Sequence, residues 1–331
     1  MLGSGAMRIC VLNSDYKDSI SPFGQVDSIA DPTPYLVGHE VTQVFLRKAS
    51  AEEQVRLLAA EGFDVYLNLC DGALDEDRPG IEVVKVLEAH NVAFSGANSG
   101  FFEPTRLDMK QACLERDIPT PAYVMVNDPL QEMQKCEGLK FPLIVKHPNS
   151  YGSIGLTRNS RVDNKENLKT EVEKIHTQYG SALVEEFISG REFTVLVAEN
   201  PENPQLPIAF KPIEVLFGPG ETYKHFNVKW VDYATLYIVP CADPVLDSRL
   251  REVSSRFFLA MSGTGYGRCD LRLDDNYHLH MLKINPNCGI FYAPQDPGMA
   301  DYILSNDPIG HSGFVDLILK SAQKRIRVKT D

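Results

Sequence analysis

The chain has 331 residues, with 33 Lys and Arg against 45 Asp and Glu, a formal net charge of −12 at neutral pH. A hydrophobic fraction of 43% with 24% charged residues excludes a disordered chain. The acidic balance excludes a broad surface for DNA, RNA or anionic lipid, whose phosphates reward positive charge. Any phosphate chemistry must therefore sit in a local basic pocket.

The seven cysteines (10, 70, 113, 136, 241, 269 and 288) form no CxxC pair and no Cys/His zinc spacing. Scattered and odd in number, they favour a reducing compartment, so a cytoplasmic location is expected. No stretch approaches the roughly 18 apolar residues of a membrane span. Met1 to Ala6 are too short and polar for a signal peptide. Their GSG precedes a strand, whereas a dinucleotide loop must follow one.

In chain order, RICVL (8–12), VTQVFLR (41–47) and FDVYLNLC (63–70) read as strands. Helices fall at 51–62 and 80–91, and a short fourth strand at 92–96. Strands alternating with helices predict a parallel sheet with covered faces. A helix over Thr105 to Arg116 carries Lys110, and IPTPAYVMV (118–126) begins a new strand system. FPLIVKHPNSYGSIGLT (141–157) reads as strand, Gly/Ser loop and strand, and 164–180 as an amphipathic, solvent-facing helix. SALVEEFISGREFTVLVA (181–198) reads as two strands around Ser189-Gly190, followed by mostly strand to Pro240. A helix over 247–263 leads into a hairpin over 269–285 whose turn is Asp274-Asp275-Asn276.

Three segments carry candidate chemistry. Lys146 ends an apolar strand and is followed by Ser150, Gly152, Ser153 and Gly155. Such a loop lets backbone N–H groups approach phosphate oxygens beside a strand-borne ammonium, although an ordinary hairpin loop next to a surface lysine has the same look. In LVEEFISGREFTV, Glu186 reads as a solvated carboxylate, while strand parity aims Glu185 and Glu192 at a polar ligand. In the hairpin, a turn centred between Asp275 and Asn276 pairs 270 with 281 and 268 with 283. Arg268, Asp270, Met281, Lys283 and Asn285 then share one face. An Asp and an Asn there are hard oxygen ligands of the kind magnesium takes; the alternative is the polar outer face of an edge hairpin.

Taken in this order, FPLIVK with its Gly/Ser loop, EEFISGREFTV and GRCDLRL…INPNCG resemble the ATP-grasp ligases, most closely the D-alanine–D-alanine ligase family. DGALDEDRPGIEVVKVLEAHNVAFSG is similar to that family's N-terminal domain. The resemblance runs from about Arg8 to the C-terminus. It implies an α/β (α+β) ATP-grasp fold with an N-terminal Rossmann-like parallel-sheet domain. The expected units are an N-terminal domain over 7–104, a lid over 105–190 and a C-terminal ATP-grasp domain over 191–331.

The same resemblance assigns roles. Lys110 and Lys146 would contact ATP phosphates, with Ser153 and Ile154 in the loop covering them. Glu185, Phe187 and Ile188 would form the adenine hinge, and Glu192 would hold the ribose. Lys229 matches a family lysine that reaches the phosphates from a mobile loop. Arg268 and the turn around Gly289 would hold an acyl phosphate, and Asp270 and Asn285 would bind Mg2+. The implied activity is an ATP-dependent carboxylate–amine ligase acting on small amino-acid-like substrates, with no nucleic-acid or membrane partner and room for a homodimer. The alternative is a nucleotide-binding pseudoenzyme of the same fold.

The departures matter as much. A second metal carboxylate is expected where the chain has Lys283. Unit charges 4 Å apart interact by roughly 4 kcal/mol at an effective dielectric near 20, and an ammonium has no lone pair for a metal. Lys283, diagonal to Asp270 in this register, could pair with it and fill the metal's place. That leaves three readings open: a fold that has lost activity, an inactivating change in an active ligase, or one magnesium held through phosphate alone. The family's Gly-Gly and glutamate after the first strand are replaced by Asn13-Ser14-Asp15, with Asp18 the nearest later carboxylate. The family's loop tyrosine is Trp230 and its phosphate-loop serine is Gly152. These changes point away from D-alanine as the substrate.

Overall fold

Ile9, Val11, Val65 and Leu67 have no exposed surface, because the sheet they belong to is covered on both faces. The computed structural model describes residues 5–17, 29–73, 76–149, 152–230 and 235–330. Asp18, Ser150 and residues 1–4 lie outside them, as do the side chains of Lys229 and Trp230.

Strands β1 (Arg8–Ser14), β2 (Glu40–Leu46) and β3 (Val65–Asn68) form a three-stranded sheet in the order β2-β1-β3, parallel throughout. Helices α1 (Ala51–Ala59) and α2 (Ile81–Ala89) complete the crossovers, as the alternation predicts. The expected strand at 92–96 is reduced to one parallel bridge, Phe94 to Tyr66. Gly96 then turns left-handed at φ +84, which ends pairing.

The Thr105–Asp108 capping box starts α3 (Arg106–Glu115). Then come β4 (Tyr123–Val126), α4 (Pro129–Glu132), β5 (Leu143–Lys146), β6 (Arg161–Val162), α5 (Lys165–Tyr179) and β7 (Ala182–Glu186). The four strands pair antiparallel in the order β4-β7-β5-β6. One stripe of α5, including Leu168, Val172 and Ile175, packs on them in a core of their own. The strand expected directly after the Gly/Ser loop starts only at Arg161. Gly152, Ser153 and Gly155 all have positive φ, which turns the chain out of extended geometry.

The rest comprises β8 (Arg191–Ala198), β9 (Ile208–Ala209), β10 (Ile213–Phe217), α6 (Phe226–Trp230), β11 (Leu236–Pro240), α7 (Pro244–Ala260), β12 (Tyr266–Leu273), β13 (Leu279–Pro286), α8 (Met299–Ser305) and α9 (Gly310–Thr330). A third sheet runs β11-β10-β8-β12-β13, with β9 on β8. The two strands around Ser189-Gly190 therefore part: β7 stays in the four-stranded sheet and β8 enters the larger one. Gly190 sits at φ +120, where a Cβ would lie 2.2 Å from the Leu273 carbonyl oxygen. The parting opens a cleft between the sheets.

The hairpin register differs from expectation. Asp270 faces Lys283 and Arg268 faces Asn285, while Leu271 faces Met281, with a bulge between Asp270 and Leu271. Met281 is thereby moved off the polar face into the apolar core with Leu271 and Leu273. Its backbone is engaged elsewhere: its N–H donates to the Pro119 carbonyl at 2.8 Å, and its carbonyl accepts from Thr120 Oγ1 at 2.8 Å.

Apolar side chains from the first sheet and the larger sheet share two cores. Phe101 packs edge-on against Phe258, and Arg325 of α9 lies over Phe94. Gly265 (φ +63), just before β12, packs tightly on the turn after Phe94: a Cβ there would fall 2.1 Å from the Gly96 carbonyl oxygen. Gly265→Ala is expected to destabilise the protein by about 3 kcal/mol through overpacking and left-handed strain. The urea midpoint measures it, and a midpoint equal to the parent's would show that the contact relaxes freely. Among the described residues no helix is long and apolar enough to cross a membrane.

Candidate functional site

A cleft lies between the four-stranded and the larger sheet. Its walls come from the end of β5, the Gly/Ser loop, the β7–β8 connection and the paired strands β12 and β13. It gathers Lys146, Ser153, Ile154, Glu185, Phe187, Ile188, Glu192, Arg268, Asp270 and Lys283. The separation of β7 from β8 is what turns consecutive residues of one segment into two walls.

Glu185 is the anchor of the first wall. It is 1% exposed, and its Oε1 lies 2.9 Å from the Lys110 ammonium while Oε2 pairs with Lys146. Burial by itself raises this carboxyl's pKa, but Lys110 and Lys146 more than overcome that, leaving it at about 2. Lys146 is driven below its ordinary value by burial, against the pull of Glu185. Lys110 is itself 1% exposed and also donates to Thr120 Oγ1 at 2.8 Å. It therefore stands behind Glu185, while Lys146 lines the cleft. Glu185, the residue that the resemblance assigns to an adenine hinge, has its carboxylate held between the two lysines. Phe187 is fixed by two guanidinium groups, Arg161 at 5.2 Å and Arg272 at 4.7 Å from its ring.

The Gly/Ser loop is tied down by the segment before α6. Ser153 Oγ donates to the Lys224 carbonyl at 2.8 Å, Phe226 N–H donates to the Leu156 carbonyl at 3.0 Å, and the Tyr223 hydroxyl donates to the Thr157 carbonyl. This places Lys224 in the cleft, its Nζ 2.9 Å from Glu192 Oε1 and 3.5 Å from Asp270 Oδ1. Burial opposes the charge on Lys224, but Asp270 and Glu192 raise its pKa overall. Sequence reasoning missed this residue. ETYKHFNVKW holds two lysines, and only Lys229 was weighed. Lys229 lies in α6, and its side chain lies outside the described residues. Arg272, 4.0 Å from Glu192 and 4% exposed, was missed as well; it lies two strand positions beyond Asp270.

Opposite stands Asp270, which accepts from Thr194 Oγ1 at 2.8 Å. Burial raises its pKa, yet Lys224, Lys283 and Arg268 together hold the carboxyl far below the usual range. Lys283 Nζ lies 3.5 Å from Asp270 Oδ2 and donates to Asn285 Oδ1 at 2.9 Å. The two oxygens expected to bind magnesium thus face an ammonium. Magnesium demands near-octahedral oxygen donors, so this set does not fit it. Among the described residues no group of three or more His, Cys, Asp or Glu is placed to hold a metal.

Gly289 lines a separate, small pocket together with Asn13, Ser14, Asp71 and Tyr292. Asn13 is 4% exposed, and among the described residues its Nδ2 has no hydrogen-bond partner. Arg268, 8% exposed, lies on the cleft side with its Nε 3.9 Å from Asp270 Oδ1.

With this geometry in view, residues 113–300 match the family described as D-ala D-ala ligase C-terminus. D-alanine–D-alanine ligase B of Pseudomonas putida is 27% identical over 222 residues, 66% of this chain and 63% of that protein. The D-alanine–D-alanine ligase of Herminiimonas arsenicoxydans is 26% identical over 84% of this chain and 81% of its own length. Among solved structures, the Bacillus anthracis D-alanine–D-alanine ligase complexed with ATP superposes with a TM-score of 0.71, at 20% identity, over 98% of this chain and 100% of that one. The VanG D-Ala:D-Ser ligase of Enterococcus faecalis gives 0.70 at 15% identity, over 96% and 99%. The structural likenesses show an α/β ATP-grasp fold, and the match over residues 113–300 shows that the chain belongs to the D-alanine–D-alanine ligase family.

Proposed function

We propose that this protein is an ATP-dependent carboxylate–amine ligase working through an acyl phosphate on an amino or hydroxy acid other than D-alanine. The observation that carries the reading is the gathering of Lys146, Lys224, Arg268 and Lys283 around one cleft in a chain of net charge −12. A triphosphate laid there would have its charge neutralised from both walls, and phosphoryl transfer depends mostly on positioning and neutralisation. The substrate carboxylate oxygen attacks the γ-phosphorus and the bond to ADP breaks. The amine then attacks the acyl carbon and expels phosphate, so no side-chain nucleophile is needed. Arg268 and the turn around Gly289 would hold the acyl phosphate, with the acid in the neighbouring cavity that Gly289 lines. There Asn13 offers an unpartnered amide N–H to a polar group of the substrate.

The expected units over 7–104, 105–190 and 191–331 and a cytoplasmic setting belong to this reading. A second reading, nucleotide binding without chemistry, is favoured by Lys283 alone. Screening pairs of amino or hydroxy acids with amines for ADP release tests the proposal. Release above the nucleotide-only rate with a pair other than D-alanine supports it. Tight ATP binding with no release from any pair would leave the second reading.

A further inference from the structure

We infer that this cleft takes the nucleoside triphosphate free of divalent metal, with the Lys283 ammonium standing at the metal position as a tethered counter-ion. The inference rests on the nucleotide reading above and goes further in stating what form of nucleotide binds. The bulge after Asp270 brings Lys283 directly opposite that carboxylate. From there its Nζ reaches Asp270 Oδ2 at 3.5 Å and Asn285 Oδ1 at 2.9 Å, between the two oxygens that a metal would need. Lys224 lies 3.5 Å from the other Asp270 oxygen. Both faces of the carboxylate are thus taken by ammonium groups, and all three partners are largely buried. A divalent ion entering here would meet two like charges and gain no new ligand.

The surroundings agree. Among the described residues, six lysine and arginine side chains line the cleft against four carboxylates, an excess of positive charge facing a polyanion. A covalently held cation cannot be removed by a chelator. Magnesium bound to ATP lowers the nucleotide's negative charge, which weakens its attraction to this lining.

The test is ATP binding to the full chain by calorimetry and by thermal shift, in EDTA and in excess magnesium. Binding in EDTA at least as tight as in magnesium is the expected result; binding that requires magnesium overturns the inference and leaves the nucleotide reading intact. No binding in either condition overturns the nucleotide reading itself. Two variants sharpen the outcome. Lys283→Glu restores an oxygen ligand, and its ATP binding is expected to become magnesium-dependent. Lys283→Met removes the tethered charge without supplying a ligand, and its affinity in EDTA is expected to fall about tenfold. Unchanged affinity of Lys283→Met in EDTA would also overturn the inference.

Discussion

Glu185→Gln is expected to lower the unfolding free energy by about 3–5 kcal/mol at pH 7, because it strands buried ammonium groups. Glu185 is 1% exposed and is shared by Lys110 and Lys146; Lys110 is equally buried. Glutamine keeps the shape and hydrogen-bonding reach but not the charge, so the loss isolates the ion pairing. The pH dependence carries the sign. The folded carboxyl titrates at about 2 and the ordinary group at 4.5. Its contribution is therefore complete above about pH 4.5 and disappears as pH falls towards 2. Urea titrations of both proteins should differ most at neutral pH and converge under acid. A gap below about 1 kcal/mol at pH 7 would mean that the lysines find other partners.

The second large effect is on ligand affinity. Lys146 ends β5, lines the cleft and, among the described residues, pairs with Glu185. Loss of one charge-assisted contact to phosphate is worth about 1.5–3 kcal/mol, so Lys146→Met should weaken ATP binding about 10- to 100-fold. The fold should survive, because methionine matches the lysine stem and Lys110 still neutralises Glu185. Calorimetric titration of the folded variant gives the answer. An unchanged dissociation constant would place the phosphates elsewhere.

What the sequence made legible follows from how local each signal is. β1 and β3 are short buried runs, and their alternation with α1 and α2 needs only periodicity to read. The candidate loop at Ser153 and the strand carrying Glu192 were legible for the same reason. The hairpin register was not, because the shift that displaces Met281 is accompanied by hydrogen bonds to Pro119 and Thr120, far away in the chain. Glu185 is a similar case. Strand parity aimed it inward, but nothing nearby in sequence announces Lys110 as its partner. Lys224 was not legible, since only the packing of Ser153 and Leu156 on residues 224–226 brings it to the cleft.

The sharing of cores between the first sheet and the last helix bears on how the chain is made. Ile9, Val11, Val65 and Leu67 belong to one core with Phe314, Val315, Ile318 and Leu319. During synthesis the first strands emerge long before the helix that covers them. The four-stranded sheet has its core entirely within residues 124–184. It is second in sequence yet first able to close, while the N-terminal sheet must wait, partly uncovered, until the final helix leaves the ribosome.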